Sequence, residues 1–210
     1  MDHDRDGVRE PIFNLPWPVL ALIIVLGAAY LGQLSLETAT VARMGLSRLG
    51  LSAGLWFEPI THIFMHGGVG HLLMNVAATA AFGPPVLRFL GMRNGDIALF
   101  YMFFLTCGVL AGAGYLAVNW NEPTVLIGAS GAISGLWAAA TRLMGRRGAL
   151  APMLDRNVMI QALVFSVVNI AIGFLDTFAG LFIGWQAHLF GYAAGLLLIG
   201  PFARLAGRVR

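Results

Sequence analysis

Six stretches of the chain, Trp17 to Gln33, Ile60 to Phe82, Ile97 to Val118, Thr124 to Leu143, Val158 to Phe174 and Leu181 to Phe202, hold between them one charged side chain, Arg142. A helix needs about 20 predominantly apolar residues to cross the hydrocarbon core of a bilayer. Each stretch is therefore a candidate span, and the connections between them are too short to form a second domain. With 58% hydrophobic and 11% charged residues, the chain cannot clothe a soluble surface. The expected fold is an all-α membrane protein, a bundle of six transmembrane helices over residues 17–202. A polar tail, 1–16, precedes it and a basic tail, 203–210, follows. Asp2, Asp4 and Asp6 stand where a signal peptide would be positive, so the first tail reads as a short cytoplasmic segment.

Charge orients the bundle. All thirteen basic residues are arginines. With six spans, Arg5, Arg9, Arg88, Arg93, Arg142, Arg146, Arg147, Arg156, Arg204, Arg208 and Arg210 fall on the side of the termini, and only Arg43 and Arg48 on the other. The positive-inside rule makes the termini cytoplasmic. This placement follows topology rather than a nucleic-acid-binding patch, so the expected surroundings are a lipid bilayer and no nucleic acid. The connection Leu34 to Glu58, with its leucines, glycines and Trp56, suits a loop partly immersed in the outer interface. Cys107 is the single cysteine and lies in an apolar run, which rules out an intrachain disulfide and any thiolate cluster.

In this orientation the second, fourth and sixth spans all begin at the outer face. His71 and Asn75, Ser130, and His188 each lie early in one of them. At 1.5 Å rise per residue Ser130 and His188 are expected on the order of 10 Å below their helix starts, with the pair of the second span a little deeper. Polar side chains in a membrane must face the bundle interior or a water-filled cavity. Gly131 and Gly135 in the fourth span, and Ala187, Gly191 and Gly195 in the sixth, repeat every four residues, a pattern that lets helix backbones approach closely. Such packing would bring the Ser130 hydroxyl within about 3 Å of the His188 imidazole, the reach of a nucleophile and its base.

A serine hydroxyl attacks a carbonyl only when a base takes its proton, and imidazole is suited to that near neutrality. The spans hold no Asp or Glu at this depth, so the reading is a dyad of Ser130 and His188. The tetrahedral intermediate also needs donors for its oxyanion. Asn75, His71 one turn earlier on the same face, and the Ser130 backbone N–H can supply them. Each residue has a plainer alternative. Serine in a membrane helix commonly bonds its own backbone, and His71, Asn75 and His188 could join helices as hydrogen-bonding partners. Their coincidence at one depth favours a site. Glu58, His62 and His66 are spaced by four, as metal ligands can be, but a zinc-protease signature needs Glu where Ile63 stands. No metal or cofactor is expected. The Gly-x-Ser-x-Gly elbow of soluble hydrolases is not met either, because Ala132 occupies its last position.

Gly128-Ala129-Ser130-Gly131, the run from His62 through His66 to His71-Leu72-Leu73-Met74-Asn75, and Ala187-His188-Leu189-Phe190-Gly191 continuing to Gly195 together resemble the rhomboid family of intramembrane serine proteases. They lie on three spans in the family's order, and the six-span layout covers Trp17 to Phe202. The resemblance implies a Ser130/His188 dyad, an oxyanion site of His71, Asn75 and the Ser130 backbone, and cleavage of membrane-spanning protein substrates without metal or cofactor. Two departures stand out. Trp56-Phe57-Glu58 occupies a loop in which the family often has a Trp-Arg pair. Ser134 stands where some members have a tyrosine that packs on the catalytic histidine, so another group must orient His188.

The expected function is an intramembrane endopeptidase that cuts transmembrane segments near the outer face of a membrane, by the compact form a bacterial inner membrane. Small or helix-weakening residues are expected near the cut, since a helical peptide bond must unwind to react. The loop Asp176 to Trp185, leading to His188, is placed to act as a lid. A six-span transporter or channel would need polar residues along the whole path, yet the inner halves of the spans are nearly free of them. A non-catalytic adaptor that binds helices remains a rival that serine-directed labelling would separate. Oligomeric state and natural substrate are not encoded in any feature of the sequence.

Overall fold

The computed structural model describes residues 15–145, 148–179 and 183–209. Among them the chain forms nine α-helices and a single 3-10 turn. Helix α1 is Trp17–Gln33, α2 Thr38–Met44, α3 Arg48–Ser52 and α4 Glu58–Thr61, which runs into the 3-10 turn His62–Phe64. Then come α5 Val69–Leu90, α6 Asn94–Val118, α7 Ser130–Leu143, α8 Arg156–Ala179 and α9 Trp185–Leu205. Four of these, α5, α6, α8 and α9, are long and apolar enough to cross a membrane, whereas α1 is a shorter apolar helix of 17 residues. Extended pairing is confined, among the described residues, to an isolated antiparallel bridge between Leu46 and Leu126.

Helix α7 lies at the centre, packed against α5, α6, α8 and α9. Its 14 residues make about 21 Å at 1.5 Å each, less than the ~30 Å of hydrocarbon. Nearly the whole circumference is buried, from Gly131 to Leu136 and again from Ala138 to Arg142. This explains its composition, because alanine, glycine and serine at eight of the 14 positions allow four neighbours to close on one helix. Gly191 and Gly195 of α9 lie directly on this helix: a Cβ at Gly195 would stand 2.6 Å from the Gly135 Cα, and one at Gly191 would meet the Gly131 carbonyl. The lipid-facing helix α8 is different, with Leu163, Val164, Val167 and Phe174 exposed.

The fourth apolar stretch is not helical from Thr124. Residues 124–127 are not helical, and Leu126 among them is held by the two bridge bonds, Leu46 N–H to Leu126 O at 2.9 Å and Leu126 N–H to Leu46 O at 2.8 Å. Ser130 is therefore the first residue of its helix and His188 the fourth of α9, rather than both lying a turn or two inside. The second stretch is also broken. Residues 65–68 separate the 3-10 turn from α5, so His62 and His66 are not on the helix of His71 and Asn75. Gly67-Gly68 weakens any helix there, and Gln33 of α1 supplies the partners a helix would have. Its amide donates to His66 O at 2.6 Å, and its Oε1 accepts the His66 N–H at 3.0 Å.

Pro84 and Pro85 do not end α5, which continues to Leu90. Both are carried inside the helix, as membrane helices permit when neighbours hold the chain; Gly83 beside them admits Val19 of α1, within 3.0 Å of where a Cβ would stand. At the other end of the expected loops, α8 extends through Asp176 to Ala179, and Asp176 Oδ2 accepts the Ile183 N–H at 2.8 Å. Much of the segment read as a lid is thus helix; residues 180–182 lie outside the described residues, as do 1–14 of the first tail, Arg146 and Arg147. Helix α9 likewise runs past Phe202 to Leu205, and Arg208 folds back to donate to Leu90 O at 2.8 Å.

Glu58 anchors the loop that lacks the Trp-Arg pair. Its carboxylate is 1% exposed, accepts the Ser47 N–H at 3.0 Å, and fills the space where a side chain at Gly50 would begin. Thr61 adds a bond from its hydroxyl to Met44 O at 2.7 Å. Burial raises the Glu58 carboxyl above its usual value near 4.5, against the opposing pull of the Ser47 N–H.

Candidate active site

The extended approach to α7 turns at Gly128, whose φ of 118° is a left-handed conformation that glycine adopts without strain. The Gly128 N–H donates to His62 O at 2.8 Å, which pins the turn. Glycine is needed for space as well: a Cβ would lie 2.7 Å from Cε1 and 2.8 Å from Nε2 of His71, and 3.8 Å from Ser130 Oγ. The imidazole of His71 is thereby brought to the side of Ser130. Its Nδ1 accepts the Gly67 N–H at 3.3 Å, so Nε2 carries the proton and is a donor on the Gly128 side. His66 packs edge-on against this ring, with centroids 5.2 Å apart at 66°.

Ser130 itself opens α7, where backbone N–H groups of the first turn lack intrahelical acceptors. Its Oγ lies 2.8 Å from His188 Nε2. The small residues explain the approach: Ala187, the neighbour of His188, has its carbonyl 3.5 Å from where a Cβ of Gly131 would be. Two of the expected residues, Ser130 and His188, are in direct hydrogen-bonding contact, and a third, His71, is adjacent. Asn75 is buried at one turn below His71, and one of its amide hydrogens goes to His71 O at 3.0 Å. That bond stays within α5.

The arrangement of a hydroxyl bonded to an imidazole, at the head of a helix and beside a further N–H donor, recurs in serine hydrolases. A rhomboid domain model matches residues 52–204, which includes all of these groups. The chain belongs to the rhomboid family. It is 31% identical over 188 residues to the putative rhomboid protease YdcA of Bacillus subtilis (strain 168), covering 87% of each chain. To the rhomboid protease GluP of the same organism it is 29% identical over 143 residues, 67% of this chain and 26% of that one.

Within this rhomboid, the group that meets the far side of the His188 ring is one that sequence reasoning missed. His188 Nδ1 is 2.8 Å from Asn169 Oδ1 on α8. The spans hold no Asp or Glu at that depth, but an asparagine inside an otherwise apolar span is itself a signal of a buried polar partner. Ser134 does not take the place of the missing tyrosine, because its hydroxyl donates to Ser130 O at 2.8 Å. Glu58, His62 and His66, the residues spaced by four, each have a hydrogen-bonding partner of their own. Glu58 serves the loop, His62 Nδ1 is 3.0 Å from Glu58 O, and His66 Nδ1 is 3.2 Å from Phe64 O.

Proposed function

We propose that this protein cleaves transmembrane segments of membrane-protein substrates near the outer face of the membrane, using Ser130 as nucleophile and His188 as its base. That it is a rhomboid-family serine protease of the membrane follows from the family match. The finer reading rests above all on the 2.8 Å contact between Ser130 Oγ and His188 Nε2. Ser130 Oγ attacks the substrate carbonyl while its proton passes to Nε2. The tetrahedral intermediate collapses when that proton is returned to the leaving amine, and water, deprotonated by the same nitrogen, releases the acyl group.

Three donors can meet the oxyanion: the Ser130 N–H at the head of α7, His71 Nε2–H, and the amide hydrogen of Asn75 not given to His71 O. Each such donor is worth about 3 kcal/mol where it has been measured. The proposed architecture is a six-helix bundle of residues 17–202, in which α1 and the short α7 complete the membrane domain with the four long helices. The termini are cytoplasmic and the membrane is a bacterial inner membrane, in keeping with the arginine distribution.

Ser130→Ala and His188→Ala should each abolish cleavage of a co-expressed single-span substrate while both variants still insert. A fluorophosphonate probe should label the wild-type protein and not Ser130→Ala. Cleavage retained by either variant would overturn the dyad.

A further inference from the structure

Asn169 is a polar side chain in the middle of a lipid-facing helix, yet it is only 6% exposed. It makes two hydrogen bonds, one from its Nδ2 to Phe165 O at 2.9 Å, and one between its Oδ1 and His188 Nδ1 at 2.8 Å. We infer that Asn169 is the positioning residue of this protease, fixing the tautomer and rotation of His188 so that Nε2 presents a lone pair to Ser130. The inference rests on the Ser130/His188 reading and extends it by a third member of unusual kind, a neutral amide from a different helix.

The donors and acceptors leave one consistent assignment. A backbone carbonyl only accepts, so the amide nitrogen of Asn169 must face Phe165 O, and its Oδ1 must face His188. Turning the amide over would oppose two oxygens at Phe165. Since Oδ1 only accepts, His188 Nδ1 must carry the proton of the neutral ring. Nε2 is then unprotonated and accepts from the Ser130 hydroxyl, 2.8 Å away. The polarity of the whole relay is thus set by a carbonyl of α8, four residues before Asn169. That residue is itself held, because the Phe165 ring stacks on Tyr192 of α9 at 4.1 Å and meets Trp137 of α7 edge-on at 5.2 Å.

An amide suits the place better than the carboxylate familiar from soluble triads. It offers the same acceptor oxygen without putting a charge against the hydrocarbon. During reaction the imidazole gains a second N–H, and Oδ1 continues to accept from Nδ1 while Nε2–H faces the leaving amine. The bond joins α8 to α9, so a correctly oriented base requires α8 to be seated.

Asparagine at a helix contact could instead serve only to hold α8 on α9, and the experiment must separate the two roles. Using the full chain in detergent, Asn169→Ala, Asn169→Leu and Asn169→Asp are compared with wild type for cleavage kinetics, thermal midpoint and the 15N signals of the histidine rings, with His188→Ala to assign them. We expect kcat of the Ala and Leu variants to fall about tenfold or more, the rate equivalent of one ordinary hydrogen bond, with KM nearly unchanged. Asn169→Asp, which keeps an acceptor for Nδ1 but sets an oxygen against Phe165 O, should recover kcat only in part, above the Ala and Leu variants. Wild-type His188 should show the Nδ1–H tautomer, and Asn169→Ala a mixture. A lowered thermal midpoint with wild-type kcat and tautomer overturns the positioning role. So does an Nε2–H tautomer in wild-type protein, which needs no variant to fold. If Ser130→Ala still cleaves, the underlying dyad has failed; if it does not cleave while Asn169→Ala is fully active, the positioning role alone has failed.

Discussion

Gly191 of α9 crosses the carbonyl of Gly131 of α7 with no room for a Cβ between them. The same crossing repeats one turn on, where a Cβ at Gly135 would lie 3.2 Å from Gly191 O. The distance between the helices that carry the serine and the histidine is therefore set by absent side chains. The 2.8 Å contact of Ser130 with His188 depends on it.

Gly191→Ala should separate these helices and lose cleavage while the protein still inserts. Overpacking of this sort costs about 1–3 kcal/mol, so the thermal midpoint in detergent should drop as well. Gly32→Ala on α1, where nothing lies within 4 Å of the added carbon, is the matched control and should leave both cleavage and midpoint unchanged. Equal effects of the two substitutions would show that the α7–α9 approach is not what matters.

His71→Ala should lower kcat by about a hundredfold, the effect expected on losing one oxyanion donor, with little change in KM or thermal midpoint. Gly128→Ala should do at least as much damage by another route. Its Cβ would press on the His71 ring, and its φ of 118° is strained for alanine. Fluorophosphonate labelling rates, which report on Ser130 directly, should fall in both variants. Wild-type labelling and kcat in His71→Ala would remove that ring from the proposed oxyanion site.

Glu58 should give the outer loop a pH-dependent stability. Its folded carboxyl is raised above the usual value near 4.5 by burial, so the protonated form is favoured in the docked loop. This contribution is complete below the unfolded value and is lost as pH rises through the raised one. Thermal unfolding measured across that window should show a falling midpoint for wild type and a flatter one for Glu58→Gln. Glu58→Ala should be less stable than Glu58→Gln at every pH, because the Ser47 N–H loses its acceptor, a loss of about 1–3 kcal/mol when the group is buried.

Much of this protein is legible one residue at a time. Hydropathy alone marks the apolar stretches, and the glycines at 131, 135, 191 and 195 announce a close helix pair, because these signals depend only on local composition and spacing. The pairing of Ser130 with His188 was readable for the same reason, since both sit beside a small-residue stripe. Where helices begin and end was less legible. Residues 124–129 are as apolar as a helix interior, and it is the backbone pairing of Leu126 with Leu46, far away in sequence, together with the positive φ of Gly128, that keeps them out of the helix and puts Ser130 at a helix head. The break before α5 depends in the same way on the Gln33 amide, and the loop anchor on a Glu58 carboxylate that needs Ser47 and Gly50 in place. Asn169 is the clearest case. Its partner lies on another helix, and which face of α8 turns inward is settled by Phe165 packing on Tyr192 and Trp137. Periodicity can say that a helix has faces, but the neighbour each face meets is a property of the assembled bundle.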